Sequence, residues 1–197
     1  IGDVNQGGSV NFRNVSFNPH GNGTHTECVG HISYETYNIL DCLQEHFMLA
    51  QVVSVFPQEM NGDLVMFKEQ FEGKIQDGVT AIVIRTMPNL ETKKNINYSA
   101  TNPSYLDIEA TKYIRNFGID HLLIDLPSID REEDGGQLVS HHAFWEYPEN
   151  TQNHRTITEL IFVQDAVKDG LYLMNLQTAA FENDATPSRP ILYPIIL

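Results

Sequence analysis

The chain has 197 residues, enough for one sizeable hydrophobic core or at most two small ones. Its 12 Lys+Arg stand against 26 Asp+Glu, a formal charge of −14, which repels phosphate backbones and anionic lipid surfaces and argues against nucleic acid and membrane surfaces as partners. The longest apolar runs, "AIVI" at 81–84 and "YPIIL" at 193–197, fall far short of the roughly 20 residues that span a bilayer, so a soluble chain is expected.

Cys28 and Cys42 are the only cysteines, too few for a disulfide framework, and a reducing, cytoplasmic setting is the default expectation. The start at Ile1 rather than Met points to an upstream segment outside this sequence, in which a removed signal peptide would also lie.

In chain order, "SVNFRNVSF" (9–17) alternates apolar and polar residues and predicts a half-buried strand. "FNPHGNGTHTECVGH" (17–31) follows, with three histidines, a glutamate and a cysteine in fifteen positions. "YETYNILDCLQEHF" (34–47) spaces Tyr37, Leu40, Leu43 and Phe47 by three and four, which predicts a helix behind an N-cap at Ser33. "LAQVVSVF" (49–56) and "TAIVIRTM" (80–87) predict strands, the second buried on both faces.

"PSYLDIEATKYIRNFG" (103–118) predicts a helix with Ser104 as cap, acidic residues in its first turns and Gly118 at its end, and "IDHLLIDL" (119–126) predicts the next strand. The acidic loop "REEDGG" separates these from a C-terminal third of strands at 156–163, 170–179 and 189–197, with turns at "KDG" and "NDATPS". No repeat or linker divides the chain, so a single α/β domain over 1–197 with a mixed sheet is expected.

The histidine-rich stretch carries the chemistry. If 23–27 is extended, His25 and Glu27 point to one side because side chains alternate across a strand, and His31 can return to that side. Imidazole and carboxylate are ligands that suit a divalent metal, but three or four are needed. Two later places can supply them: "SHHAFWE" (140–146), with His141 and His142, and "TITELIF" (156–162), where Glu159 sits in an apolar run. A carboxylate buried there without a partner would be costly, and a metal would offset that cost. The bland alternative is a polar turn, a solvent-facing glutamate and packed or capping histidines.

Read together, these residues resemble one family. "GTHTECVGH" is similar to the H-x-G-T-H-x-D-x-P-x-H signature of the cyclase and kynurenine formamidase family of metal-dependent hydrolases. "LIDLPSID" (123–130), the His141 region, "TELIFVQDAVKDGLYLMNLQ" and "ATPSRPIL" resemble that family's later segments in the same order. The resemblance implies a swivelling β/β/α domain, a homodimer or homotetramer, and one or two divalent metals per chain, zinc first and manganese second.

It further implies His25, Glu27, His141 and Glu159 as metal ligands, His142 as the substitute for His141, and His31 as the acid/base. The family's first histidine falls on Gly21, and His20 is one position early. In a regular strand that slip turns the side chain to the wrong face, whereas a bulge at "GNG" (21–23) would return His20 to the site. Glu27 stands for the family's Asp. Cys28 faces away from His25 and Glu27 by the same alternation.

The activity so implied is hydrolysis of a C–N amide or formamide bond in a small molecule, arylformamidase-like, in which the metal acidifies a coordinated water towards a pKa of roughly 7. Tyr34, Phe144 and Trp145 lie near the proposed site in sequence and are candidates for an aromatic substrate pocket. The alternatives are hydrolysis of a cyclic amide or lactone, and a divergent member that binds a ligand without turning it over.

Overall fold

The computed structural model describes residues 2–195. In chain order its strands and helices are β1 (His25–Glu27), α1 (Ile39–Cys42), β2 (Phe47–Val55), β3 (Gln58–Met60), β4 (Asp63–Met66), β5 (Ala81–Thr86) and β6 (Tyr105–Leu106). These are followed by α2 (Ile108–Asn116), β7 (His121–Ile124), α3 (Val139–Trp145), β8 (Thr156–Glu159), β9 (Gly170–Asn175), β10 (Ala185–Pro187) and β11 (Ile191–Pro194).

Eight strands form one mixed sheet in the order β10-β1-β8-β7-β5-β2-β9-β11, and β3, β4 and β6 form a small second sheet. The middle of the large sheet, β8, β7, β5 and β2, is parallel, and antiparallel strands flank it on both sides. Parallel strands need cover on both faces. Ile82 and Ile84 of β5 accordingly pack with Ala110 and Ile114 of α2 and Phe144 of α3, while Ala81 and Val83 turn to the opposite core with Ile39, Met48 and Met174. Every residue of β5 is buried, as its β-branched run predicts. Among the described residues no helix is long and apolar enough to cross a membrane.

Several predicted elements are corrected. Residues 9–17 form no strand: Val10, Phe12 and Val15 are exposed, and the segment is tied down by an isolated bridge between Gly2 and Phe12, the Val4 N–H to the Asn11 side chain and an edge contact of Phe17 with Phe181. The helix predicted over 34–47 shrinks to α1 with Asn38 at its cap, because Leu40 and Phe47 face solvent and only Tyr37, Ile39, Cys42 and Leu43 meet the second core. Ser33 instead donates its hydroxyl to the Glu35 carbonyl at 2.6 Å. The main helix starts later than predicted, with Asp107 rather than Ser104 as its cap, since Tyr105 and Leu106 pair with β4. The last predicted strand keeps Ile191–Pro194, and residues 196–197 lie outside those described.

His121 on β7 carries a pH consequence. It is 5% exposed, its Nδ1 lies 2.9 Å from Thr156 Oγ1, and burial, aided by nearby His154 against Asp120, pushes its pKa down to about 4. The unfolded chain takes up this proton near pH 6.5 and the folded chain only near pH 4, so His121 is neutral to stability above pH 6.5 and destabilising as pH falls through that window. The penalty reaches about 2 kcal/mol at pH 5. Urea unfolding at pH 7 and pH 5 should show a smaller loss of stability for His121→Gln than for the parent, and equal losses would refute this assignment.

Candidate metal centre

The centre is built on the pairing of β1 with β8. In that antiparallel register His25 stands opposite Glu159, and Glu27 follows His25 by two residues, so all three side chains project from one face. His25 Nε2 lies 3.5 Å from Glu159 Oε2 and 3.8 Å from Glu27 Oε2. His25 Nδ1–H donates to the Gly23 carbonyl at 2.9 Å, which leaves Nε2 as the bare nitrogen turned towards the carboxylates. Gly23 holds φ at +145°, a conformation that an L side chain would strain.

β8 stops at Glu159 because Leu160 adopts φ +54°. The Glu159 Oε1 accepts the Ile129 N–H at 3.2 Å, which anchors the carboxylate from the loop after β7. That loop also supplies Asp130, whose Oδ1 accepts the Ser140 N–H and whose Oδ2 accepts both the His141 N–H and the His141 Nδ1–H, the last at 2.6 Å. Asp130 thus starts α3 and sets the His141 ring with Nε2 3.1 Å from Glu27 Oε1 and 3.7 Å from Glu159 Oε1.

His20 completes the group. It lies in a turn rather than on a strand, so strand alternation does not govern it, and its Nδ1 comes within 3.0 Å of Glu27 Oε2. The one-residue offset from the family pattern is absorbed in this turn, where the Asn22 side chain accepts the Asn18 N–H at 2.6 Å and the Asn18 side chain accepts the His20 N–H at 3.0 Å. His31 ends the short 3-10 turn Val29–His31 and stacks on His20 with ring centres 4.2 Å apart. Gly30 makes that turn possible, since a Cβ there would stand 2.4 Å from the Tyr37 carbonyl oxygen.

The electrostatics follow from burial. The Glu27 carboxyl is held well below the usual range: burial opposes this, but His141, His20 and His25 outweigh it. Glu159 is pushed well above its usual range by burial first and by repulsion from Glu27 second. Burial works to neutralise His141, yet Asp130 and Glu27 raise it to about 10. His31 is lowered, chiefly by burial and then by its histidine neighbours against the pull of Glu27 and Asp184, so it is neutral at pH 7.

These residues fit a divalent cation. His25 Nε2 and Glu27 Oε2 are buried and lack a well-directed hydrogen bond, although His20 Nδ1 stands close to the latter. Two acceptor atoms left bare in a dry site are costly, and a cation between them removes the cost. The donor atoms of His20, His25 and Glu27 all lie within 4.8 Å of one another, as do those of Glu27, His31 and His141. The two Glu27 oxygens face different partners, His20 and His25 on one side and His141 on the other.

Of the residues singled out from sequence, the structure brings together His20, His25, Glu27, His31, His141 and Glu159. It leaves out the others. His142, one helical step from His141, points to the outer face of α3 and contacts the Tyr147 carbonyl at 2.9 Å, so it is no substitute ligand. Phe144 and Trp145 are fully buried core residues, Trp145 backing His141 with its ring centre 5.5 Å away, and Tyr34 is fully exposed. None of the three is among the walls of the cavity beside the cluster. Cys28 packs with Cys42 in the core cluster on the opposite face, and both are free thiols. Asp130 and Asp184, absent from the sequence-based set, lie in the segments "LIDLPSID" and "NDATPS".

A family model described as "Putative cyclase" matches residues 3–131, and the chain belongs to that family. The match spans His20, His25, Glu27, His31 and Asp130. Among solved structures of similar fold, a potential metal-dependent hydrolase with cyclase activity is 18% identical with a TM-score of 0.69, over 90% of this chain and 80% of that one. A predicted metal-dependent hydrolase from Bacillus stearothermophilus is 19% identical with a TM-score of 0.65, over 94% and 82%. Isatin hydrolase A from Labrenzia aggregata, bound to benzyl benzoate, is 13% identical with a TM-score of 0.70, over 93% and 77%. At such identities the likeness is one of fold. No curated protein matches the chain.

Because Glu27 faces both groups of ligands, metal should stabilise the folded chain through it. Zinc or manganese at a hundred times its Kd should add about 2.7 kcal/mol of stability, read as a rise in Tm that a chelator reverses. In Glu27→Gln the rise should vanish. A variant stabilised as much as the parent would remove Glu27 from the ligand set.

Proposed function

We propose that the chain is a metal-dependent hydrolase that cleaves a C–N amide or formamide bond of a small molecule. The observation that carries this reading is the convergence of two bare buried atoms, His25 Nε2 and Glu27 Oε2, with His20, His141 and Glu159. A divalent ion held there, zinc first and manganese second, would supply an acidified water and polarisation of the substrate carbonyl.

The protein's own groups supply the rest. Asp130 holds the His141 Nδ1–H so that Nε2 stays aimed at Glu27. His31 is about one-third exposed, makes no ring hydrogen bond among the described residues, and has its Nε2 4.0 Å from Glu27 Oε2. A neutral, accessible imidazole beside the cluster can take a proton from the attacking water and return it to the departing nitrogen. A cavity of about 410 Å³ adjoins the cluster, with His20 and Asp130 among its walls and Tyr98, Pro127, Leu138 and Leu160 around them. That volume suits a single-ring or fused-ring substrate.

A second reading within the same chemistry is hydrolysis of a cyclic amide. The likeness to isatin hydrolases supports it, isatin being a ring-closed amide. A panel of formylated arylamines, cyclic imides and lactones, run with metal-loaded protein, separates the readings, and no turnover of any class would favour a ligand-binding member of the family. His31→Ala should keep its metal while kcat falls by about 10²–10⁴. Loss of metal together with activity would assign His31 to the ligand set instead.

A further inference from the structure

His20 and His25 present opposite ring nitrogens to Glu27. His25 offers Nε2, because its Nδ1–H is tied to the Gly23 carbonyl. His20 offers Nδ1, 3.0 Å from Glu27 Oε2, and its Nε2 lies 2.8 Å from Asp184 Oδ2. Ionised carboxylates only accept, so each His20 nitrogen faces an acceptor; a cation bound against Glu27 would take the place of the Nδ1 hydrogen and leave the Nε2–H on Asp184.

The geometry points to Asp184 as the positioning residue of the metal centre: it selects the tautomer in which His20 ligates through Nδ1, and so lets a histidine one place out of the family's register serve as a ligand. This inference rests on the metal-centre reading above and adds to it a named nitrogen and a named partner. Nδ1 lies nearer the backbone than Nε2, and that shorter reach matches a side chain delivered from a turn rather than from β1.

Asp184 is itself well placed. It directly precedes β10, whose Ala185 pairs with Glu27, and its carbonyl accepts the Cys28 N–H at 3.0 Å. A Cβ on Gly30 would come within 3.1 Å of Asp184 Cβ, so the glycine also admits this approach. The same Oδ2 lies 3.6 Å from His31 Nδ1, between the two stacked rings that it serves. No other carboxylate among the described residues is within ion-pair distance of either outward-facing nitrogen.

The test compares four variants of the full chain, Asp184→Asn, Asp184→Ala, His20→Asn and His20→Gln, by zinc titration against a chromogenic chelator and by the visible spectrum of the cobalt-loaded protein. Asn at 184 keeps an oxygen that accepts the Nε2–H, whereas Ala removes it. Asp184→Ala should bind zinc about 10- to 100-fold more weakly and shift the cobalt bands, with Asp184→Asn close to the parent in both. At position 20, Asn places its amide where Nδ1 stood and Gln where Nε2 stood, so His20→Asn should retain more affinity.

Asp184→Ala matching the parent in affinity and spectrum, or His20→Gln outperforming His20→Asn, would overturn the inference while leaving the metal centre intact. A parent chain that binds neither zinc nor cobalt would overturn both.

Discussion

The pairing of two short strands, β1 and β8, governs the chemistry of this molecule. Its register places His25 across from Glu159 and Glu27 two residues on, all on one face and all buried. Antiparallel neighbours on one face approach within about 5 Å, so this contact forces two carboxylates and an imidazole into one dry space. The rest of the centre answers that constraint. Asp130 fixes His141 against Glu27, the Ile129 N–H takes one oxygen of Glu159, and the turn at 18–23 delivers His20. A slip of one residue between β1 and β8 would turn the set to the other face and dissolve it.

The parallel core strands were legible in the sequence because burial on both faces leaves a short continuous apolar run, as in Ala81–Ile84 of β5 and Leu122–Ile124 of β7. Helix α2 was legible from its spacing, though Tyr105 and Leu106 were lost from its predicted start to pairing with β4. Two patterns misled. The period-two alternation of 9–17 is real, but its apolar residues Val10, Phe12 and Val15 stay exposed, and the three- and four-residue spacing of 34–47 includes Leu40 and Phe47, which stay in solvent. The hairpin of β3 and β4 went unread although its signal is local: Asn61 and Gly62 both take positive φ in a two-residue turn that joins Met60 to its partner Asp63.

In the site, strand parity made His25 and Glu27 readable as a pair. His20 was ambiguous for a physical reason, since parity holds only inside a strand and His20 lies in a turn whose course is set by Asn18 and Asn22. The choice between His141 and His142 needed the orientation of α3, where a step of one residue turns a side chain by about 100° from the cluster to the surface. Phe144 and Trp145 are near the site in sequence and close behind it in space, but they face the core. Asp130 and Asp184 act on histidines 11 and 164 positions away, distances at which neither spacing nor alternation carries information.

The arrangement also bears on why such a costly set of groups is assembled at all. Glu27 and Glu159 are buried within reach of the same histidines, and without a cation they cannot both ionise cheaply: Glu27 stays charged and Glu159 is driven to hold its proton. A purely structural site would be more stable with apolar residues of similar volume in their place. A cation reverses that balance, because each buried charge then has a partner and each bare atom a ligand bond. Under the proposed function the cost of the cluster is intelligible as preorganisation for a cation, with side-chain atoms held at 3.0–4.0 Å from one another by Gly23, Asp130, Asp184 and Ile129. His31 differs from its neighbours in this setting, since burial pushes its pKa down, it is free of ring hydrogen bonds among the described residues and it is partly open to solvent, the properties that the proposed proton transfer asks of it.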